Sequence, residues 1–503
     1  MKQSGIIALE ETGGALDVPL MASQAPGLIS ETGHLDDKKD PRKIPVFYTI
    51  VMIALSATEG FNLGYMDALI GIFRQRGVHS SRIGILNIMM YPFLLSFIGA
   101  PIVDKYYSRS FGKRKSYLFP CKMVIAAGLF IFSIYVDELV EDLQIATIAL
   151  YLFIIGLVQL FDFNALTGLR FELYGLENTG LASFTLYAGL ILGTFFSYHL
   201  FVILNSSYAC SLLFGIESGG LVSHRTANIF FALCNLLSGI GSYFIVEPED
   251  KESAANMISI LTLIKTFFTN KVYKRATLWM LFSCFGVLAL RSTVSLSLIK
   301  KGMRREHIVM LLAINAVFSL TNNFVLKRFM IPGQIIRVCS LFIIMYLGII
   351  YLDWYNVVTF DPLINYNRGL VIYFLGIFLE SACPWMSYHI GFVTATTYEK
   401  HAASYATTLM GVVNIGKIIP ISLTVTLLDY SNYTLLFVTL NTMNVLFIAF
   451  SFNTWARDID MTPISEYHMA IEQASASVRV DGIVHDKEMD DLVKDDKPKV
   501  INN

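Results

Sequence analysis

Apolar runs of about twenty residues, separated by short polar loops, recur along most of this chain. As a helix, a run of that length matches the hydrocarbon thickness of a bilayer. Twelve such runs are readable, at about 45–73, 83–103, 116–136, 144–168, 179–203, 227–246, 275–298, 306–326, 335–353, 369–391, 403–427 and 432–453. Composition agrees: 54% of the 503 residues are hydrophobic and 15% are charged. A soluble domain rarely tolerates that balance, so an all-α polytopic membrane protein is expected, with the lipid bilayer as its partner. A net charge of −1 gives no electrostatic footprint for nucleic acid. The six cysteines form no metal-like spacing, and no metal or cofactor is expected.

An even number of spans puts both termini on one face. Lysine and arginine set which face is cytoplasmic. With cytoplasmic termini, that side holds Lys38, Lys39, Arg42 and Lys43, the loop cations Lys105 to Lys115, and Lys271, Lys274 and Arg275. Lys327 and Arg328 join them. Two loops on the opposite face break the rule: Arg74-Gln-Arg76 and Lys300-Lys301-Gly-Met-Arg304-Arg305.

Those exceptions resemble each other. Residues 72–86 and 297–312 align around Gly77 and Gly302, an offset of 225, with Ile83 and Leu86 matching Ile308 and Leu311. A second pair, 185–193 and 408–416, aligns at an offset of 223. Two matches at nearly one offset imply two homologous six-helix halves, the architecture of major facilitator transporters, with a central site between them. The expected order is a disordered cytoplasmic tail (1–44), an N-terminal half (45–246), a linker with an amphipathic helix (247–274), a C-terminal half (275–453) and a second disordered tail (454–503). The segment near Ile6 is too short for a signal peptide, so the first span is expected to target the protein. An H-x4-D spacing at His485 and Asp490 falls in the second tail and reads as chance.

The loop after the second run reads APIVDKYYSRSFGKRKSYLFP, residues 100–120. It carries five cations in eleven residues behind Asp104: Lys105, Arg109, Lys113, Arg114 and Lys115. This resembles the helix 2–3 loop of major facilitator transporters, where an acid and bases form a clasp between moving helices. The gating set implied is Asp104, Lys113, Arg114 and Lys115. The full string resembles the endoplasmic reticulum acetyl-CoA transporter family, which reads A-P-x-V-D and F-G-[KR]-R-K-S-[YW]-L-x-P. So do Glu177-Asn178-Thr-Gly180-Leu-Ala182-Ser183, and Tyr405 to Pro420 with its Y-x-T-x-L-x-x-V-x-N-x-G-x-x-x-P pattern. The resemblance implies a non-enzymatic multi-pass transporter that moves acetyl-CoA from cytosol to endoplasmic reticulum lumen by alternating access. It leaves oligomeric state, coupling ion and direction open. One departure stands out: the family's two aspartates before E-N-x-G fall here on Phe163 and Thr167.

An ionisable side chain at bilayer depth costs about 2.5–3.5 kcal/mol on insertion scales, so it usually faces a cavity or a partner. Glu59, Asn62 and Asp67, Lys122, Asp162, Arg291, Glu380 and Lys417 all fall inside apolar runs. His199 and His389 are weaker candidates. An anionic nucleotide thioester needs cations for phosphate and a ring for adenine. The substrate set is therefore Lys417, Asn414, Arg291, Lys122 and Tyr187, with Tyr151, Phe163 and Trp385 as further rings. Glu59 and Asp67, near one face of the first helix, and Asp162 are candidates for ion coupling; pairing with neighbouring cations is the other reading. A different solute, as in muropeptide-permease-like proteins, is the alternative within transporters. A membrane acyltransferase is the alternative outside them.

Overall fold

The computed structural model describes residues 45–174, 179–216, 219–247, 285–326, 350–380, 402–430 and 432–454, with scattered positions at 265–282 and 348. The termini, most of the linker, the E-N-x-G segment, His389 and Trp385 lie outside the described residues, as do the side chains of Arg291 and Glu380.

All regular structure among the described residues is helical. The helices are α1 (Val46–Gln75), α2 (Ser80–Lys105), α3 (Lys115–Glu141) and α4 (Ile145–Tyr174). Next comes α5, which runs from Thr179–Thr194 through a π-helical stretch, Phe195–Leu200, into Phe201–Asn205. A short helix, Ser207–Phe214, precedes α6 (His224–Tyr243). The second half holds α7 (Phe285–Lys300), α8 (Arg305–Leu326), α9 (350–359), α10 (Tyr366–Glu380), α11 (Ala402–Leu427) and α12 (Tyr433–Thr454). Five helices among the described residues are long and apolar enough to cross a membrane: α1 to α4 and the Phe184–Asn205 part of α5.

α2 is not a uniform helix. Pro92 and Pro101 remove backbone donors, and residues Gly84–Leu95 wind as a tighter 3-10 helix between two α-helical ends. It packs along α11 of the other half, with Gly84 against Thr426 and Gly411 facing Ser96 and Phe97. α2 and α11 thus form a seam between the halves.

The two internal matches in the sequence correspond to two matching structures. Gly77 and Gly302 both adopt positive φ, +77° and +103°, and each follows the end of a helix. Gly77 donates to the Arg74 carbonyl and Val78 to that of Phe73; Gly302 donates to Ile299 and Met303 to Leu298. The same three- and five-residue hydrogen bonds close both helices, and a side chain at either glycine would strain the left-handed backbone. In the second pair, Gly193 of α5 lies against the backbone of Ala57 and Gly60 in α1, and Gly416 of α11 against the Leu281 carbonyl just before α7. Small residues let membrane helices approach to backbone contact where no hydrophobic force drives them together.

Candidate functional site

The charged residues of the interior gather in three places. The first is the end of the N-terminal half at the loop between α2 and α3. α2 carries Asp104 in its last turn, α3 begins just after Arg114, and α4 carries Glu172 near its last turn. Arg114 is 2% exposed and lies between two carboxylates, 2.7 Å from an Asp104 oxygen and 2.6 Å from a Glu172 oxygen. Burial penalises its charge, and Asp104 and Glu172 outweigh that, so the guanidinium is held above its ordinary pKa. Lys113 is a looser neighbour, 3.8 Å from Asp104 and 3.7 Å from Glu172. Lys115 takes a different part: its backbone N–H donates to Glu247 at 2.5 Å, and its ammonium lies over the Tyr243 ring. One arginine therefore ties α2, α3 and α4 together, and Glu247 adds the end of α6.

The second place is the core of the same half. Lys122 is fully buried on α3, its Nζ 2.5 Å from an Asp162 oxygen on α4. It also donates to Thr58 Oγ1 on α1 at 2.7 Å. Arg170, fully buried on α4, donates to Ser56 at 2.5 Å and lies 3.8 Å from Glu59. Gln159 links the same helices, donating to the Glu59 carbonyl at 3.0 Å and accepting from Asn62 at 2.9 Å. Two cations and two carboxylates thus sit in one junction of α1, α3 and α4. Asp162 stands one residue before Phe163, so the interior keeps an acid beside the first missing aspartate; Phe163 and Thr167 are themselves buried.

The geometry bears on part of the sequence reading. Lys122 is expected as a substrate cation; here its ammonium is fully buried and paired with Asp162. Glu59 and Asp162 pair with cations, the other reading left open for them. Glu59 and Asp67 do not share surroundings: Glu59 is 2% exposed, whereas Asp67 is open to solvent. Eight residues is 80° off a whole number of turns, enough to separate them.

The third place lies where the halves meet at the opposite end of α2, beside the turn between α1 and α2. Arg74, at the end of α1, donates from Nη1 and Nη2 to the two oxygens of Asp429, each at 3.0 Å. Asp429 follows α11. Lys300, from the end of α7, reaches the same carboxylate at 2.7 Å, and the Ser80 N–H donates to it at 2.7 Å. Nearby, Ser206 donates to Glu306 at 2.9 Å and Tyr208 bonds His307 at 3.2 Å, again across the halves. The Arg74 hydrogen bonds hold the Asp429 carboxyl well below the usual carboxylate range. The two loops that break the positive-inside pattern supply these cations.

Of the remaining expected substrate residues, Tyr187 is half-buried on α5, and Asn414 and Lys417 are half-buried on α11. Asn414 follows Gly411 by one turn, on the side of α11 that meets α2. Arg291 lies on α7.

Residues 47–215 match the family model described as acetyl-coenzyme A transporter 1. An uncharacterized Schizosaccharomyces pombe protein is 25% identical over 268 residues, 52% of this chain and 51% of its own. An uncharacterized Saccharomyces cerevisiae membrane protein is 22% identical over 332 residues, 55% of this chain and 59% of its own. The chain thus spans about half the length of these relatives. In architecture it resembles the major facilitator superfamily transporter FucP in its outward conformation, with TM-score 0.57 and 14% identity, covering 83% of this chain and 99% of FucP. By sequence over residues 47–215 the chain matches the acetyl-coenzyme A transporter family, and by architecture it is an all-helical membrane protein with the major facilitator fold.

Proposed function

We propose that this protein carries acetyl-CoA, or a closely related anionic CoA metabolite, from the cytosol into the endoplasmic reticulum lumen by alternating access. The observation that carries this reading is the family match, whose residues 47–215 include the whole Asp104–Arg114–Glu172 clasp and the buried Lys122–Asp162 junction. In this reading the buried junction makes the N-terminal half a rigid body, because four charges removed from water hold one another in place. The clasp and the Arg74–Asp429 seam lie at opposite ends of the molecule. The clasp stiffens the cytoplasmic end of one half, and the seam closes the lumenal side between halves.

Substrate phosphates fall to cations of the second half. Lys417 and Asn414 stand on α11 beside the seam, Arg291 on α7, and Tyr187 on α5 supplies a ring for the adenine. Lys113 and Lys115 flank the cytoplasmic mouth and attract a polyanion toward it.

Ligand-induced stabilisation tests the substrate. Anything that binds the folded state alone raises its stability, by about 2.7 kcal/mol at a hundredfold excess over Kd. Acetyl-CoA should raise the Tm of the purified protein in detergent, with free CoA weaker and acetate inert. Equal shifts from acetate, or none from acetyl-CoA, would contradict the assignment and favour another solute.

A further inference from the structure

From Leu55 to Arg74, α1 is packed almost all round, and Asp67 is the one exposed residue in that stretch. A lipid-facing stripe would open again three or four residues away. Here Gly64, Ile70 and Gly71 are buried and Leu63 is half-buried, so the opening is a slot and not a flank. Its walls are identifiable. One turn before, Gly64 packs against Thr194 and Ser197 of α5; one turn after, Gly71 faces the Arg305 side chain of α8 so closely that an added Cβ would crowd it. Asp67, exposed between these two packed turns, therefore lies between α5 of one half and α8 of the other.

The groups facing this slot are few. The π-helical stretch of α5 places the Tyr198 hydroxyl within electrostatic reach of Asp67, Arg305 and Tyr373 of α10. His199 on the same stretch is buried, and His224 of α6 is bonded to Tyr65 at 2.9 Å. Arg305 pairs with Glu306 at 3.5 Å, and its Nε has no hydrogen-bond partner among the described residues. On α1 itself, Glu59 is taken by Arg170 and Arg74 by Asp429. No hydrogen bond or ion pair reaches Asp67 among the described residues, whereas Glu59, Asp104, Asp162, Glu172, Glu306 and Asp429 each have a cationic partner.

We propose that Asp67 is the protein's exchangeable cation site and that the cation is a proton, taken up with the anionic substrate; this rests on the acetyl-CoA reading. A bare carboxylate in the cavity repels a polyanion, and a carboxylic acid does not. A metal ion asks for several oxygen ligands, and the slot's Thr194 and Ser197 hydroxyls are engaged with backbone carbonyls of α5 and α1, whereas a proton needs only one acceptor. The Gly71–Arg305 contact crosses the halves, so rocking moves a guanidinium toward or away from Asp67. Its approach favours the charged form and proton release; its retreat favours uptake.

Two measurements test this. Acetyl-CoA affinity is followed against pH for the parent and Asp67→Asn. Linkage to one proton makes the parent gain up to about tenfold in affinity per unit of falling pH, beyond any change shared with the variant, which keeps only the substrate's own titration. Parallel pH profiles would overturn the proposal, as would a sodium dependence that vanishes in Asp67→Asn. The second readout needs no substrate: infrared titration should show a carboxyl band in the parent that Asp67→Asn lacks. If acetyl-CoA does not bind at all but the band is present, the substrate reading has failed and the proton site stands. If the parent lacks the band, the site is wrong whatever the substrate.

Discussion

Arg74 of α1 and Asp429 after α11 form a two-pronged ion pair across the seam between the halves, with Arg74 4% and Asp429 6% exposed. Lys300 makes the same carboxylate the meeting point of both halves. A buried pair is worth little against apolar packing, but losing one partner strands the other, at about 3–5 kcal/mol.

Asp429→Asn is therefore expected to open the Arg74–Asp429 seam. Ser80, fully buried beside Asp429, provides the reporter: in Ser80→Cys, a membrane-impermeant thiol reagent should react slowly in the parent and at least tenfold faster with Asp429→Asn. The same reporter gives a pH dependence. Arg74 depresses the Asp429 pKa in the closed state, so the closing energy is fully present above an unpaired aspartate's pKa of about 3.9 and is lost as pH falls through the lower value. The ratio of labelling rates in Asp429→Asn and the parent, in which the thiol's own titration cancels, should stay flat from neutral pH to about 4.

The Asp104–Arg114–Glu172 clasp is expected to govern rate more than affinity. Asp104→Asn removes one of two carboxylates on Arg114 and touches none of the proposed substrate residues. Turnover should fall while the Kd for acetyl-CoA stays near the parent's. Because Asp104 and Glu172 share one guanidinium, Asp104→Asn and Glu172→Gln should be non-additive by about 0.5–3 kcal/mol in a double-mutant cycle on stability. Additive effects would mean that the two acids work separately.

The buried junction makes a contrast of single and double variants. Lys122→Met leaves Asp162 charged in the core and should cost about 3–5 kcal/mol of stability. Adding Asp162→Asn removes the stranded charge and should recover most of that. If Lys122→Met were as stable as the parent and failed only in binding, Lys122 would be a substrate cation after all.

Lys417→Met keeps side-chain length and removes the charge. It should leave the protein folded and inserted, and weaken acetyl-CoA binding by about 1–3 kcal/mol, the range for a charge-assisted hydrogen bond. Lys417→Arg should retain more. Unchanged binding in Lys417→Met would move the phosphate site to Arg291.

The sequence made the helical frame readable because membrane spans and glycine-centred repeats are local signals. Asp104 and its basic cluster were legible for the same reason: the loop is short and its charges lie close together. Glu172 and Arg170 were not legible as partners, because the fourth apolar run reads as ending at about 168, while the helix continues to Tyr174. Asp429 left no trace, since a loop acid has no periodicity and its partner lies 355 residues away. The signal that existed was indirect: Arg74 and Lys300 on the wrong face for the positive-inside pattern. The separation of Asp67 from Glu59 needed the packing of α5 and α8 around α1, which periodicity alone does not contain.

Uptake of labelled acetyl-CoA by proteoliposomes holding the purified protein tests the central claim most directly. Trapped unlabelled acetyl-CoA should drive accumulation of the labelled compound by counterflow, free CoA should compete more weakly, acetate should not compete, and Asp104→Asn should slow the exchange without raising the half-saturating concentration. Vesicles that accumulate labelled acetate or another solute but exclude acetyl-CoA would contradict the account.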